Sequence, residues 1–244
     1  MESVSILAIG LAVILLGVSK AGFGGVGTAA ALPVMTLGLE PETALGVLLP
    51  LLLATDVVSV VAHRKSMDLR VIFFALPGAL LGVLVGAVFL DQLPPEVIAA
   101  SIGTLAIFFA VLALSDRSPD VSGWPTWVGS IFGVVSGFTS TVAHAGGPPI
   151  HIFFLAKAYA PQVFVATSAG FMAGVNILKI APYFAIGAMD HKTLTLAASL
   201  APLAVVAALA GAKLARVISK RVFKISVNWL LILAGIKLLY DAVF

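Results

Sequence analysis

The stretch Gly22-Phe23-Gly24-Gly25-Val26-Gly27 sits in the middle of an apolar segment, residues 4–38, that is too long for one membrane crossing. A related run, from Ser136-Gly137-Phe138 to Gly146-Gly147-Pro148-Pro149, interrupts a second such segment, residues 124–158. Paired breaks in corresponding hydrophobic segments are the sequence mark of a transport site.

Composition fixes the class around those breaks. Hydrophobic residues make up 61% of the 244 and charged residues 10%, against about a quarter charged in a soluble domain. Lipid accepts only helices or closed barrels as spanning forms, and these runs are too long and continuous for barrel strands, so the chain reads as an all-α membrane protein. The absence of cysteine excludes disulfides, thiolate nucleophiles and cysteine-ligated clusters. The net charge of +3 comes from basic residues in short loops between apolar segments, where they set membrane orientation; no nucleic-acid partner is expected. Met1-Glu2-Ser3 lacks the basic start of a signal peptide, so the first segment is expected to belong to the mature fold.

With a span of about 20 residues in mind, eight hydrophobic segments fall near 4–38, 43–62, 70–90, 97–114, 124–158, 162–187, 193–215 and 222–243. The order of landmarks repeats along the chain. Gly22-Phe23 matches Gly137-Phe138, Pro33 matches Pro148, Asp56 matches Asn176, Met67-Asp68 echoes Met189-Asp190, and Pro77 and Gly86 match Pro202 and Gly211. We therefore expect two membrane repeats, residues 1–118 and 119–244, forming one integral membrane domain.

Counting loop charges tests the orientation of the repeats. If all eight segments crossed once, loop Lys and Arg would divide five against five. If each broken segment instead folds back as a hairpin, or as two short crossings, the second half is inverted. Arg64, Lys65, Arg70, Arg117, Lys157, Arg216, Lys220, Arg221 and Lys224 then share one face with only Lys192 opposite. That is the positive-inside pattern. The expected fold is two inverted repeats, each a broken or re-entrant helical hairpin followed by three transmembrane helices, up to ten helices in all. Both termini are expected outside the cytoplasm.

The glycine-rich Ala21 to Gly27 motif, the short Pro33-to-Pro41 connection and the Gly146-Gly147-Pro148-Pro149 ending of the second motif resemble the TauE/SafE family of sulfite-exporter-like membrane permeases. The resemblance covers the whole chain and implies export of sulfite, sulfonates or other small organosulfur or organic anions. In the second half, Ser140-Thr141-Val142-Ala143-His144-Ala145 replaces part of the glycine run.

A helix restarting inside a membrane presents free N–H groups and the positive end of its dipole, and glycine lets an anion approach that backbone. Two such tips facing one another would cradle a small oxyanion. The candidate substrate-binding residues are Lys20, Gly24, Gly25, Gly27 and Thr28 from the first tip. From the second they are Thr139, Ser140, Thr141 and His144, with Gly146 and Gly147 supplying flexibility. Asp56, its repeat mate Asn176, and Lys179 are polar groups deep in apolar segments, candidates for ion coupling; pairing of Asp56 with Lys179, or Lys179 reaching the outer interface, are the plainer readings. His144 and His151 flank the second motif without enough further ligands for a metal site, and no cofactor is expected. Gly78, Gly82 and Gly86 form a small-residue face for close packing within the protomer, with a homodimer interface as its alternative use. The reading is a secondary transporter of the cell membrane exporting a small anion by alternating access. The alternatives are an anion channel and, for want of a clustered constellation, less readily an intramembrane enzyme; no ATP-binding phosphate loop is present.

Overall fold

Proline or a capping side chain opens each of the six helices long and apolar enough to cross a membrane. The computed structural model describes residues 2–23, 25, 27–115, 123–214 and 217–243. Three helices begin at proline, α3 (Pro41–His63), α5 (Pro95–Leu114) and α8 (Pro161–Ala185), where the missing N–H costs nothing and φ is already helical. Asp68 caps α4 (Leu69–Gln92) by accepting from Val71 N at 3.1 Å, and Asp190 caps α9 (His191–Leu214) by accepting from Thr193 N at 2.8 Å. The two aspartates that echo one another in sequence therefore do the same job. Thr193's backbone N–H and hydroxyl hold the Asp190 carboxyl below the usual carboxylate range. Ser219 accepts from Val222 N at 3.2 Å to start α10 (Lys220–Val243). The remaining elements are α1 (Glu2–Gly22), α2 (Ala31–Met35), α6 (Val128–Ala143) and α7 (Gly147–Leu155). All ten α-helices are joined by turns with no strand among the described residues, and six (α3, α4, α5, α8, α9, α10) are long and apolar enough to cross a membrane.

Both broken segments turn back. Gly38, beyond α2, packs on the start of α1, where a Cβ would fall 2.5 Å from Ser5 O. Lys157, beyond α7, donates to Trp124 O at 3.0 Å and Thr126 Oγ1 at 3.3 Å, just before α6. Each hairpin thus ends at the level where it began. The return helices, 5 and 9 residues long, extend only about 8 and 14 Å, far short of the roughly 30 Å of hydrocarbon. Each broken segment is therefore a hairpin with a short return arm.

Two expectations are corrected. The second break was placed from Ser136 onward, but α6 runs through Gly137 to Ala143 and the break is only 144–146. Gly137 serves packing, since a Cβ there would sit 2.2 Å from Ala79 O on α4. The first return arm of the expected helical hairpin is a 3-10 turn (Thr28–Ala30) followed by only the five residues of α2. Thr36 Oγ1 donates to Pro33 O at 2.9 Å as that short helix ends.

The helices form two compact units, each drawing helices from both sequence halves. In the first (1–51, 93–116, 187–244), α1 lies on α9 and α5 on α10. Gly17 faces Ala204 O, Gly211 faces Val18, and Gly103 and Gly235 each approach the other's carbonyl, with added Cβ atoms 2.6–2.8 Å away. Phe23, Val18, Phe223 and Val227 belong to its core. In the second (52–92, 117–186), α4 lies on α6 and α8 packs on α4. Gly78 and Gly82 face Ser130 O and Val134 O, and Gly86 meets Thr141. The small-residue face of α4 therefore packs within the protomer. Phe153, Phe154, Phe171 and Val175 fill the core of that unit.

A Cβ on Gly82 would lie 2.0 Å from Val134 O, whereas nothing approaches Gly10 within 4 Å. Gly82→Val is expected to destabilise the protein by at least about 2–3 kcal/mol through overpacking. Gly10→Ala in α1 should stabilise by about 0.5–1 kcal/mol. Thermal melts of the purified variants in detergent check both signs.

Candidate functional site

The densest polar cluster gathers where α6 stops. A helix end leaves its last carbonyls without intrahelical partners, and three carbonyls near this end find partners beyond the helix. Thr139 O accepts from Ala145 N at 3.2 Å, Ser140 O from His144 N at 3.0 Å, and Thr141 O from the Tyr183 hydroxyl at 2.6 Å. His144 closes the helix in the left-handed conformation (φ 49°), a region where histidine is several-fold enriched among the non-glycine residues found there.

Lys179 of α8 reaches the same helix end. Its ammonium donates to Ser140 O at 3.2 Å and Ser140 Oγ at 3.1 Å, and lies 2.8 Å from His144 Nδ1. A lysine at a helix C-terminus also meets the negative end of the dipole. Lys179 is 0% exposed and His144 6%, so Lys179 does not reach an outer interface as one sequence reading had it. One helical turn earlier, Asn176 Nδ2 donates to Asp56 Oδ2 at 2.6 Å, both groups buried. The repeat mates Asp56 and Asn176 thus touch one another. Asn176 Oδ1 and Ser168 Oγ on α8 are buried with no hydrogen-bond partner.

The hydroxyls of Thr139 and Thr141 bond back to Val135 O and Gly137 O, both at 2.9 Å, so these residues act inside α6 rather than in an open loop. Ser136 Oγ donates to Gly146 O and ties the two arms of the hairpin together. Gly147 begins α7 with Pro148 and Pro149 in its first turn. Pro148 and Pro149 have no N–H to offer an anion, and the basic side chain at this tip is Lys179.

The first tip is built differently. Gly25 (φ +81°) donates its N–H to Ser19 O at 2.8 Å, and Gly27 (φ +101°) opens the 3-10 turn. Both conformations favour glycine. Thr28 directs its N–H (3.1 Å) and its hydroxyl (2.9 Å) to Gly25 O, so the side chain shapes the turn. Lys20 is half-buried in the last turn of α1. Gly24 lies outside the described residues.

Lys20, Gly25, Gly27 and Thr28 belong to the first compact unit; Asp56, Asn176, Lys179 and the α6–α7 residues belong to the second. In that unit Ser140, Thr141, His144 and Lys179 come together, with Asp56 and Asn176 a turn away. Tyr183 and Ser19 were missed by the sequence reading. Spacing would have found Tyr183, four residues beyond Lys179 on the same face of α8.

Comparison with known proteins agrees with this architecture. A family model, "Sulfite exporter TauE/SafE", matches residues 9–238. The chain belongs to the TauE/SafE family. Its members are membrane transporters of the sulfite and sulfonate exporter type, not enzymes. No curated protein and no solved structure matches. For this TauE/SafE member, the family and the six apolar spans agree on a multi-pass membrane protein.

Tyr183→Phe removes only the hydroxyl that covers Thr141 O. It is expected to lower stability by about 1 kcal/mol or slightly more, read as a drop in melting temperature of the purified protein.

Proposed function

We propose that this TauE/SafE member is a secondary transporter that moves a small oxyanion, of the sulfite, sulfonate or small organic anion class, out of the cell by alternating access. The observation that carries the reading is the Lys179 ammonium, wholly buried at the end of a re-entrant helix and held by Ser140 and His144. A buried ionisable group inside a membrane segment marks a pathway, and an anion arriving here would replace His144 as an acceptor for one Lys179 N–H. His144 and Ser140 act beside Lys179. Asp56 and Asn176 fix α3 against α8 next to it. At the other hairpin Lys20, Gly24, Gly25, Gly27 and Thr28 form the second candidate contact region.

The re-entrant hairpins support an inverted arrangement. A hairpin that returns to its own side followed by three crossings makes the number of crossings per half odd, so the halves 1–118 and 119–244 run in opposite senses. Nine of ten loop cations then lie on the cytoplasmic face. The membrane is the cell membrane and both termini are outside. Export of a monovalent anion from a negative interior is favoured by about 2.3 kcal/mol per 100 mV, so uniport suffices.

Two measurements test this. In proteoliposomes loaded with sulfite, thiosulfate or methanesulfonate, Lys179→Met should reduce anion flux at least tenfold while Lys179→Arg retains part of it. Wild-type flux from Lys179→Met would remove the site. Saturable flux with counterflow separates a carrier from a channel. The cysteine-free sequence also allows single-cysteine mapping. An impermeant maleimide added to intact cells should label Lys192→Cys and spare Lys65→Cys; the reverse pattern overturns the topology.

A further inference from the structure

Six hydroxyls on the helices of this protein follow one habit. Thr55, Ser59, Ser101, Thr139, Thr141 and Ser199 each donate to a carbonyl three or four residues back. Such back-bonding is how a helix satisfies a hydroxyl where water is scarce. Ser19, in the last turn of α1, breaks the habit. Its Oγ is buried, the residue is 0% exposed, and no hydrogen-bond partner meets it. The hydroxyl instead faces the first tip: a Cβ on Gly27 would lie 3.0 Å from Ser19 Oγ and 2.8 Å from Val227 Cγ1. Gly27 and Gly25 are themselves half-buried, at the part of the hairpin where the backbone takes left-handed conformations.

We propose that Ser19 Oγ is a ligand contact of the first tip, donating a hydrogen bond to an oxygen of the transported anion beside Gly27. The proposal rests on the anion-transport reading above and adds a residue to it. Three observations choose an anion's oxygen as the ligand atom. The backbone carbonyl of Ser19 is already engaged by Phe23 N (3.1 Å) and Gly25 N (2.8 Å), so it is the hydroxyl that has hydrogen-bonding capacity left. Lys20, in the same turn, disfavours a cation. No Asp or Glu occurs between Glu2 and Glu40, so the hairpin itself offers this hydroxyl no carboxylate acceptor. Thr28, by contrast, already directs its hydroxyl to Gly25 O at 2.9 Å and would have to abandon the turn to donate elsewhere.

Ser19 is also the positional counterpart of Ser140. Each accepts the backbone N–H four residues on at the end of a hairpin's first arm, from Phe23 in one case and His144 in the other. The hydroxyl of Ser140 receives Lys179, and that of Ser19 is held for a ligand.

The test is the melting temperature of purified full-length protein with and without sulfite, thiosulfate and methanesulfonate, for wild type, Ser19→Ala and Ser19→Cys, with Ser101→Ala as control. Because the hydroxyl makes no bond within the protein, Ser19→Ala should melt at or above the wild-type temperature without anion. Its dissociation constant for whichever anion stabilises the wild type should rise about tenfold, the loss of one hydrogen bond to a charged group. Ser19→Cys, similar in volume but a weak donor, should fall between, and Ser101→Ala should match wild type. Unchanged affinity in Ser19→Ala overturns the proposal, and so does a fall of several degrees in the anion-free protein, which would make the hydroxyl structural. If none of the three anions stabilises or is carried by the wild type, it is the anion-transport reading that fails.

Discussion

A helix that stops inside hydrocarbon leaves carbonyl groups that lipid cannot satisfy, and much of this protein is arranged around that constraint. At the end of α6 the carbonyls of Thr139, Ser140 and Thr141 are answered by Ala145 N, by His144 N with the Lys179 ammonium, and by the Tyr183 hydroxyl. Two of those donors come from α8, so α8 must present Lys179 and Tyr183 on one face and bury both. A fully buried lysine is costly in isolation. Here its N–H groups meet a carbonyl, a hydroxyl and an imidazole nitrogen at a helix's negative end.

The first arms of the hairpins are held by backbone rather than by adaptable side chains. Glycines on α4 and α6 face one another's carbonyls, as do glycines on α1 and α9. Small residues permit this approach, and in a membrane the resulting van der Waals contact is a main source of helix association. Contacts of this kind tolerate little sliding, because any added methyl meets a carbonyl oxygen. Each tip is therefore carried on a rigid arm, while its own few residues hold the polar chemistry.

Much of this was legible in the sequence. Six of the eight apolar segments, the echo of Met67-Asp68 in Met189-Asp190, and the packing face of Gly78, Gly82 and Gly86 were legible from composition and spacing because each depends on local rules. The exact break in α6 was not, since Gly137 and Gly146 are the same letter with different jobs. Gly137 admits a neighbouring carbonyl, and Gly146 stands in the break itself. Tyr183 and Ser19 were missed for a tertiary reason. Whether a hydroxyl bonds its own helix or something else is decided by what packs beside it.

The two tips solve the same helix-end problem with unequal means, and the inequality has a functional meaning. The Asp56–Asn176 register places Ser59 on α3 where α8 carries Lys179. Ser59 bonds back to Thr55 O at 3.0 Å, so the first half keeps no lysine at that position. Its charge is Lys20, on the tip's own arm, and its helix end is closed by Phe23 N and Gly25 N. At the second tip the cation is part of the scaffold, because withdrawing Lys179 would expose the end of α6. At the first, the Ser19 hydroxyl takes no part in closing the turn, so a bond made by it leaves the turn intact. An anion carrier needs both kinds of contact. A fixed charge makes entry into the low-dielectric interior affordable, and a dispensable hydrogen bond lets the same anion leave.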